Sequence, residues 1–182
     1  MKRALKAAAI LLAASAAGCA TQRAGDMGAT APDAPTTAAA QLRDAQGRVL
    51  ASASASDVGE ALRIRVEASG LGAGIYGIHL HAVGRCDAPA FETAGPHWNP
   101  GDREHGRDNP RGQHRGDLPN LLVGTDGRGI LEFTIPDARL AGRVARLLDT
   151  DGAAIVLHAR PDDYRSDPSG NSGARIACGV LG

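Results

Sequence analysis

The sequence predicts an all-β fold, an antiparallel sandwich or barrel, on three observations. Apolar and polar residues alternate with period two in Arg48–Ser52, Leu62–Glu67 and Ile130–Ile135. Gln46-Gly47 and Asp126-Gly127 fall between such runs, and Asp-Gly is among the strongest short hairpin signals. Only residues 138–148 hint at a helix, and Gly142 inside that stretch weakens the hint.

The chain opens with a basic head, Lys2, Arg3 and Lys6, followed by the apolar run Ala7–Ala17. That run is too short to span a bilayer and reads as the core of an export signal. Ala16-Ala17-Gly18-Cys19 resembles the lipobox of bacterial lipoproteins, in which Cys19 would carry the lipid, although Ala16 stands where a large aliphatic residue is usual. Residues 1–19 are therefore expected to direct export to the periplasm or cell envelope, with a lipid anchor to a membrane. Residues 20–40, rich in Ala, Thr, Pro and Gly with no aromatic, read as a flexible tether. Residues 41–182 remain as a single folded domain.

Within that domain the strand candidates are 41–45, 48–52, 62–67, 76–83, 120–124, 130–135, 154–158 and 174–178. Between 83 and 119 runs a long irregular piece rich in Gly and Pro. A loop that long in a compact domain is usually functional.

All six histidines lie between positions 79 and 158. In Ile78-His79-Leu80-His81 alternate side chains face opposite ways. Ile78 and Leu80 suit a barrel interior, which leaves His79 and His81 projecting outward under the long loop. The loop adds His97, His105, His114 and Asp117, and His158 ends the apolar run Ala154–Leu157. Two four-coordinate metals need eight donor positions and these are seven residues, so one imidazole bonding through both ring nitrogens closes the count. Three His with one Asp suit tetrahedral Zn²⁺, and four nitrogens in a flattened array suit Cu²⁺. Trp98, the only tryptophan, reads as loop packing or interface.

Setting Cys19 aside, Cys86 and Cys178 share a compartment in which disulfides persist. Bridged, they would close a long loop; the alternative is a pair of buried thiols. Export of the first residues removes three of the 20 basic side chains, and no basic block or aromatic-interleaved patch suggests nucleic acid.

The segments GIHLHAVGRC, GPHWNP, HGRDNP, HRGD, IVLHARPDDY and GNSGARIACGV together resemble the exported bacterial copper–zinc superoxide dismutases across residues 41–182. The resemblance implies an eight-stranded Greek-key β-barrel of immunoglobulin-like layout, with long metal-binding and electrostatic loops. It implies copper on His79, His81, His97 and His158, and zinc on His97, His105, His114 and Asp117, with His97 as the bridge. Asp162 matches the outer carboxylate linking His79 to His105, and outer partners of this kind fix ring tautomer and orientation. Arg175 matches the arginine beside the copper, and Cys86–Cys178 the family's internal disulfide. The catalytic pair implied is Arg175 and His97, and the substrate is the superoxide anion.

The rim lysines common in the family are absent. Arg160 and Arg165 are the substitutes on offer, beside Asp162, Asp163 and Asp167, which offset them. The other readings are a cell-envelope copper and zinc buffer without turnover, and a structural sandwich in which the histidines are incidental. A homodimer is compatible with everything in the sequence.

Overall fold

A computed structural model describes residues 36–182 apart from Val144. The expected signal segment 1–19, its Cys19 and most of the expected tether lie outside the described residues. The strands are β1 (Thr37–Arg43), β2 (Val49–Val58), β3 (Ala61–Ala68), β4 (Gly74–Tyr76), β5 (Ile78–His81), β6 (Leu121–Val123), β7 (Gly129–Pro136), β8 (Ala153–His158) and β9 (Arg175–Leu181). All paired strands are antiparallel, in a seven-stranded sheet of order β5-β8-β9-β1-β2-β3-β7 and a ribbon β4-β6.

The ribbon joins the two ends of the sheet. β4 runs into β5 through Gly77, while the β6 backbone lies so close to Gly129 of β7 that a Cβ there would stand 2.4 Å from the Leu122 carbonyl. The sheet thus curls into the expected Greek-key barrel. The expected strand 76–83 is two strands, because the chain bends at Gly77, where a Cβ would meet Ser172 at 2.8 Å.

Two other boundaries differ from the sequence pattern. β1 begins at Thr37, inside the expected tether, with Ala38 and Ala40 buried. β2 continues to Val58 through an Ala-Ser alternation whose alanines face the core. Both strands use small, weakly β-prone residues, and pairing with their neighbours overrides propensity.

The expected helix at 138–148 is absent. Asp137, Gly142 and Ala145 have positive φ, and the segment folds back on itself through Leu147 N–H to Arg139 O and Leu148 N–H to Leu140 O. Leu140 and Leu147, seven residues apart and fully buried, mimic one face of a helix in sequence.

Inside the barrel Leu42, Leu62, Ile64, Ile78, Leu80, Ile155 and Leu157 are essentially fully buried. Burial of each such side chain stabilises the fold by about 1.5–3 kcal/mol. β8 is buried on both faces: Ile155 and Leu157 join the interior, whereas Ala154 and Val156 pack under Phe91 and Ala94 of the long loop. Its continuous apolar run follows from that double cover.

The same loop is stitched along β5. Trp98 N–H donates to Leu80 O, Leu80 N–H to Gly116 O and Gly116 N–H to Trp98 O, at 2.8–2.9 Å. Gly116 permits this approach, since a Cβ there would lie 2.4 Å from Leu80 O. The stitching pairs His81 with His97 and His79 with Asp117 across the strand. Trp98 packs in the core and its Nε1–H donates to Arg146 O.

Candidate metal centre

Strand alternation turns His79 and His81 away from the interior, and the loop lays His97, His105, His114 and Asp117 over them while β8 delivers His158. All seven donors are buried. They form two groups sharing His97, each with ligand atoms within 4.8 Å of one another: His79, His81, His97 and His158, and His97, His105, His114 and Asp117.

The ring nitrogens divide sharply into held and unheld. His79 Nε2 faces Asp162 Oδ2 at 2.8 Å, His105 Nε2 faces Asp162 Oδ1 at 3.0 Å, His81 Nδ1 faces Gly95 O at 2.8 Å and His158 Nδ1 faces Gly173 O at 3.3 Å. In the neutral rings of His79, His81 and His158 these contacts fix the tautomer, with the proton on the held nitrogen. The opposite nitrogens His79 Nδ1, His81 Nε2 and His158 Nε2, together with His97 Nε2, are buried without any hydrogen-bond partner, while His105 Nδ1 faces Asp117 Oδ1 at 3.1 Å outside hydrogen-bond geometry. Unsatisfied buried nitrogens are costly, and here the four of the first group converge.

The second group is spaced for a small tetrahedral ion. Asp117 Oδ1 stands 2.8 Å from His97 Nδ1, 3.1 Å from His105 Nδ1 and 3.1 Å from His114 Nδ1, and the His97 and His114 Nδ1 atoms are 3.4 Å apart. Donors about 2.0–2.1 Å from a tetrahedral zinc stand about 3.3–3.4 Å from one another, a separation that His97 and His114 meet and that the three Asp117 contacts undercut by a few tenths of an ångström. The residues fit the metal.

The electrostatics prepare both groups. Burial lowers His81 to about 2, His158 to about 3 and His97 to about 4, the last against the pull of Asp117, and lowers His79 as well. Those rings are neutral and ready to ligate at neutral pH. His105 differs: burial opposes its charge, but Asp117 and Asp162 outweigh it and raise the ring to about 9. Burial also opposes charge on Asp117 and Asp162, yet the surrounding imidazoles and the Gly106 and Tyr164 N–H groups hold both well below the usual carboxylate range.

Cys86 and Cys178 are bonded, with Cα atoms 5.6 Å apart, so the loop is tied to β9 three residues beyond Arg175. Arg175 donates to Phe91 O at 2.7 Å and Gly95 O at 2.8 Å, and burial lowers its pKa. Gly95 O therefore holds both His81 and Arg175. The arginine, His97 and His158 line a cleft of about 550 Å³. Arg160 and Arg165 do not line that cleft; Arg103, a residue the sequence did not single out, does.

Other supports also escaped the sequence pattern. Asn120 brackets Asp162 by donating to its carbonyl and accepting from its N–H. Gly170, with φ +63, leaves the room Asp162 occupies, since a Cβ would fall 1.9 Å from Oδ1. Positive φ at Gly170 and Gly106 is a weak signal that a bare Gly in a loop gives.

Residues 45–181 match the copper/zinc superoxide dismutase (SODC) family. The chain belongs to the copper/zinc superoxide dismutase family. With that membership come the family's oxidoreductase chemistry and its two metals, copper and zinc, for which the donor groups above are present. The chain is 48% identical over 124 residues to a superoxide dismutase-like protein of Bacillus subtilis, spanning 67% of this chain and 63% of that relative's length. It is 38% identical to copper–zinc superoxide dismutase 2 of Aquifex aeolicus, over 78% of this chain and 84% of that one. The copper–zinc superoxide dismutase of Caulobacter vibrioides is 36% identical, over 80% and 85%. The crystal structure of a double mutant of the Bacillus subtilis superoxide dismutase-like protein superposes with a TM-score of 0.75 at 42% identity, over 81% of this chain and 99% of that one.

Proposed function

We propose that the chain dismutes superoxide, 2 O₂⁻ + 2 H⁺ giving O₂ and H₂O₂, with copper held by His79, His81, His97 and His158 and zinc by His97, His105, His114 and Asp117. The observation that carries this reading is His97: its Nδ1 belongs to the Asp117 group while its Nε2 is buried, unpartnered and grouped with His79, His81 and His158. Held there by His79, His81, His97 and His158, copper would supply the one-electron redox chemistry that dismutation needs.

The chain's own residues do the rest. His97, fastened on its Nδ1 side, presents Nε2 as the atom that holds a proton and passes it toward peroxide. Arg175, clamped by two loop carbonyls, aims its remaining N–H donors at an anion in the cleft. Asp162 keeps His79 and His105 in the ligating tautomer.

The test is metal analysis with pulse-radiolysis kinetics. About one copper and one zinc per chain with rapid turnover are expected; superoxide dismutases are themselves among the enzymes known to approach the diffusional ceiling. Full loading with only background turnover would favour the copper and zinc buffer, a reading that the Bacillus relative's "-like" name keeps in view. Arg175 and the complete donor set favour the enzyme.

Export and lipidation at Cys19 make the site of action the cell envelope, supported by the basic head, the apolar run and a disulfide suited to an oxidising compartment. Mass spectrometry of the mature N-terminus tests it: an unmodified Cys19, or a mature chain that retains residues 1–18, rules it out. Pairing of two copies is supported by exposed Ile75, Leu122 and Ile130, the first two directly opposed across β4 and β6. Sedimentation of the wild type and Leu122→Glu decides it; a monomer in both refutes pairing.

A further inference from the structure

Every histidine of the centre except one has both ring nitrogens accounted for. His79 and His105 lean on Asp162, His81 on Gly95 O and His158 on Gly173 O, while His97 faces both donor groups. His114 Nδ1 points into the Asp117 group, and its outer nitrogen, Nε2, has no protein partner among the described residues and is open to solvent rather than buried. Metal-ligating histidines almost always donate that outer N–H to a carboxylate, a carbonyl or water.

His114 borders a second hollow of about 440 Å³ that adjoins the Arg175 cleft, Asn99, Arg103 and His114 lining both, and that alone is walled by Gln113, Arg115, Phe133 and Ile135. Its walls include Arg103, Gln113 and Arg115 with the apolar Phe133 and Ile135, and no carboxylate. Arg103 has no ion-pair or side-chain hydrogen-bond partner among the described residues, and the Gln113 amide has none either. Its backbone pinned by reciprocal bonds with Asn99, Arg103 is anchored while its guanidinium is uncommitted. Arg115 spends one N–H on Pro136 O and keeps the others. The hollow therefore combines two cations, a solvent-accessible imidazole N–H and an apolar wall, with no carboxylate among its own lining residues.

We infer that this hollow binds a small carboxylate with an apolar body, whose oxygens accept from His114 Nε2–H and the arginines. The inference rests on the zinc assignment above, because a metal on Nδ1 puts the ring proton on Nε2. The bound carboxylate would do for His114 what Asp162 does for His105: fix the ring and raise its basicity as a ligand. By linkage, carboxylate binding and zinc retention then strengthen each other by the same factor.

The probe is benzoate, with inorganic phosphate as the oxyanion lacking an apolar body. Zinc-loaded, copper-free protein is diamagnetic, so binding is followed by NMR, on a sample whose zinc content is measured separately by elemental analysis. Zinc content reports on the metal assignment, and the titration on the hollow. Expected are saturable benzoate shifts at Gln113, Arg115, Phe133 and the His114 ring, with phosphate weaker. Zinc loss to a chelator should slow in benzoate. Arg115→Ala and the milder, exposed Arg103→Ala should each weaken benzoate about tenfold or more, the loss of a charge-assisted contact, and Arg175→Ala should not. Shifts that leave out Gln113, Arg115 and Phe133, no saturable shift in zinc-replete protein, or indifference to both arginine variants overturns the inference.

Discussion

Replacing Asp162 by Asn separates the two metals, and the structure says in which direction. The two carboxylate oxygens do different work: Oδ1 accepts from His105 Nε2 at 3.0 Å and from Tyr164 N–H at 2.6 Å, whereas Oδ2 accepts only from His79 Nε2 at 2.8 Å. An asparagine keeps its single oxygen on the side with two donors. Its NH₂ then faces His79 Nε2–H, donor against donor, and the ring can escape only by moving its proton to Nδ1, the nitrogen that must ligate. A charge-assisted hydrogen bond in a buried site contributes about 1.5–3 kcal/mol, and each 1.4 kcal/mol is a factor of ten. Copper affinity should therefore fall about 10–100-fold, and zinc affinity only a few-fold. Competition against chelators of known affinity, run separately for each metal, measures both. Equal losses for the two metals, or a larger loss of zinc, would refute the argument from oxygen asymmetry.

Arg175→Ala removes the clamped cation of the cleft and should slow turnover about tenfold or more and flatten its ionic-strength dependence, with metal content unchanged; an unaltered salt profile by pulse radiolysis counts against it. His105, raised to about 9 in the metal-free protein, carries a proton that zinc must displace, so zinc affinity should climb about tenfold per pH unit up to about 9, with close to one proton released at pH 7 by calorimetry in buffers of different ionisation enthalpy. Its raised value also contributes stability to the metal-free fold that is complete below about pH 6.5 and lost as pH rises through 9, whereas His81, His97 and His158, lowered to about 2–4, destabilise that fold as pH falls below about 6.5; urea midpoints across pH test both signs. Reducing Cys86–Cys178, 92 residues apart, releases loop-closure entropy of up to about 4–5 kcal/mol and frees the loop whose carbonyls clamp Arg175, so urea midpoint and turnover should fall together.

The barrel was legible where side-chain pattern and backbone pairing agree, as in Leu62–Glu67, and misread where they part. Leu140 and Leu147 carry helical spacing, yet positive φ at Gly142 and Ala145 and a fold-back onto Arg139 bury both without a helix. The continuation of β2 beyond Ser52 hides in alternating Ala and Ser because its partners supply the stability that its residues lack. The seven donors stood out in the sequence because only a few side-chain types bind copper or zinc, so metal chemistry leaves its mark in residue identity. Their supports leave almost none. Gly95 O and Gly173 O orient rings, Phe91 O clamps Arg175, and the N–H groups of Gly106 and Tyr164 charge the two carboxylates. Every residue carries those backbone groups, so no residue type marks them, and only the path of the loop decides which atoms arrive. The same reasoning explains why Arg103 was passed over in favour of Arg160 and Arg165. A cation's place in a field depends on where its loop turns back, and the Asn99 bonds that set the turn are local, ordinary and silent about what lies across the cleft.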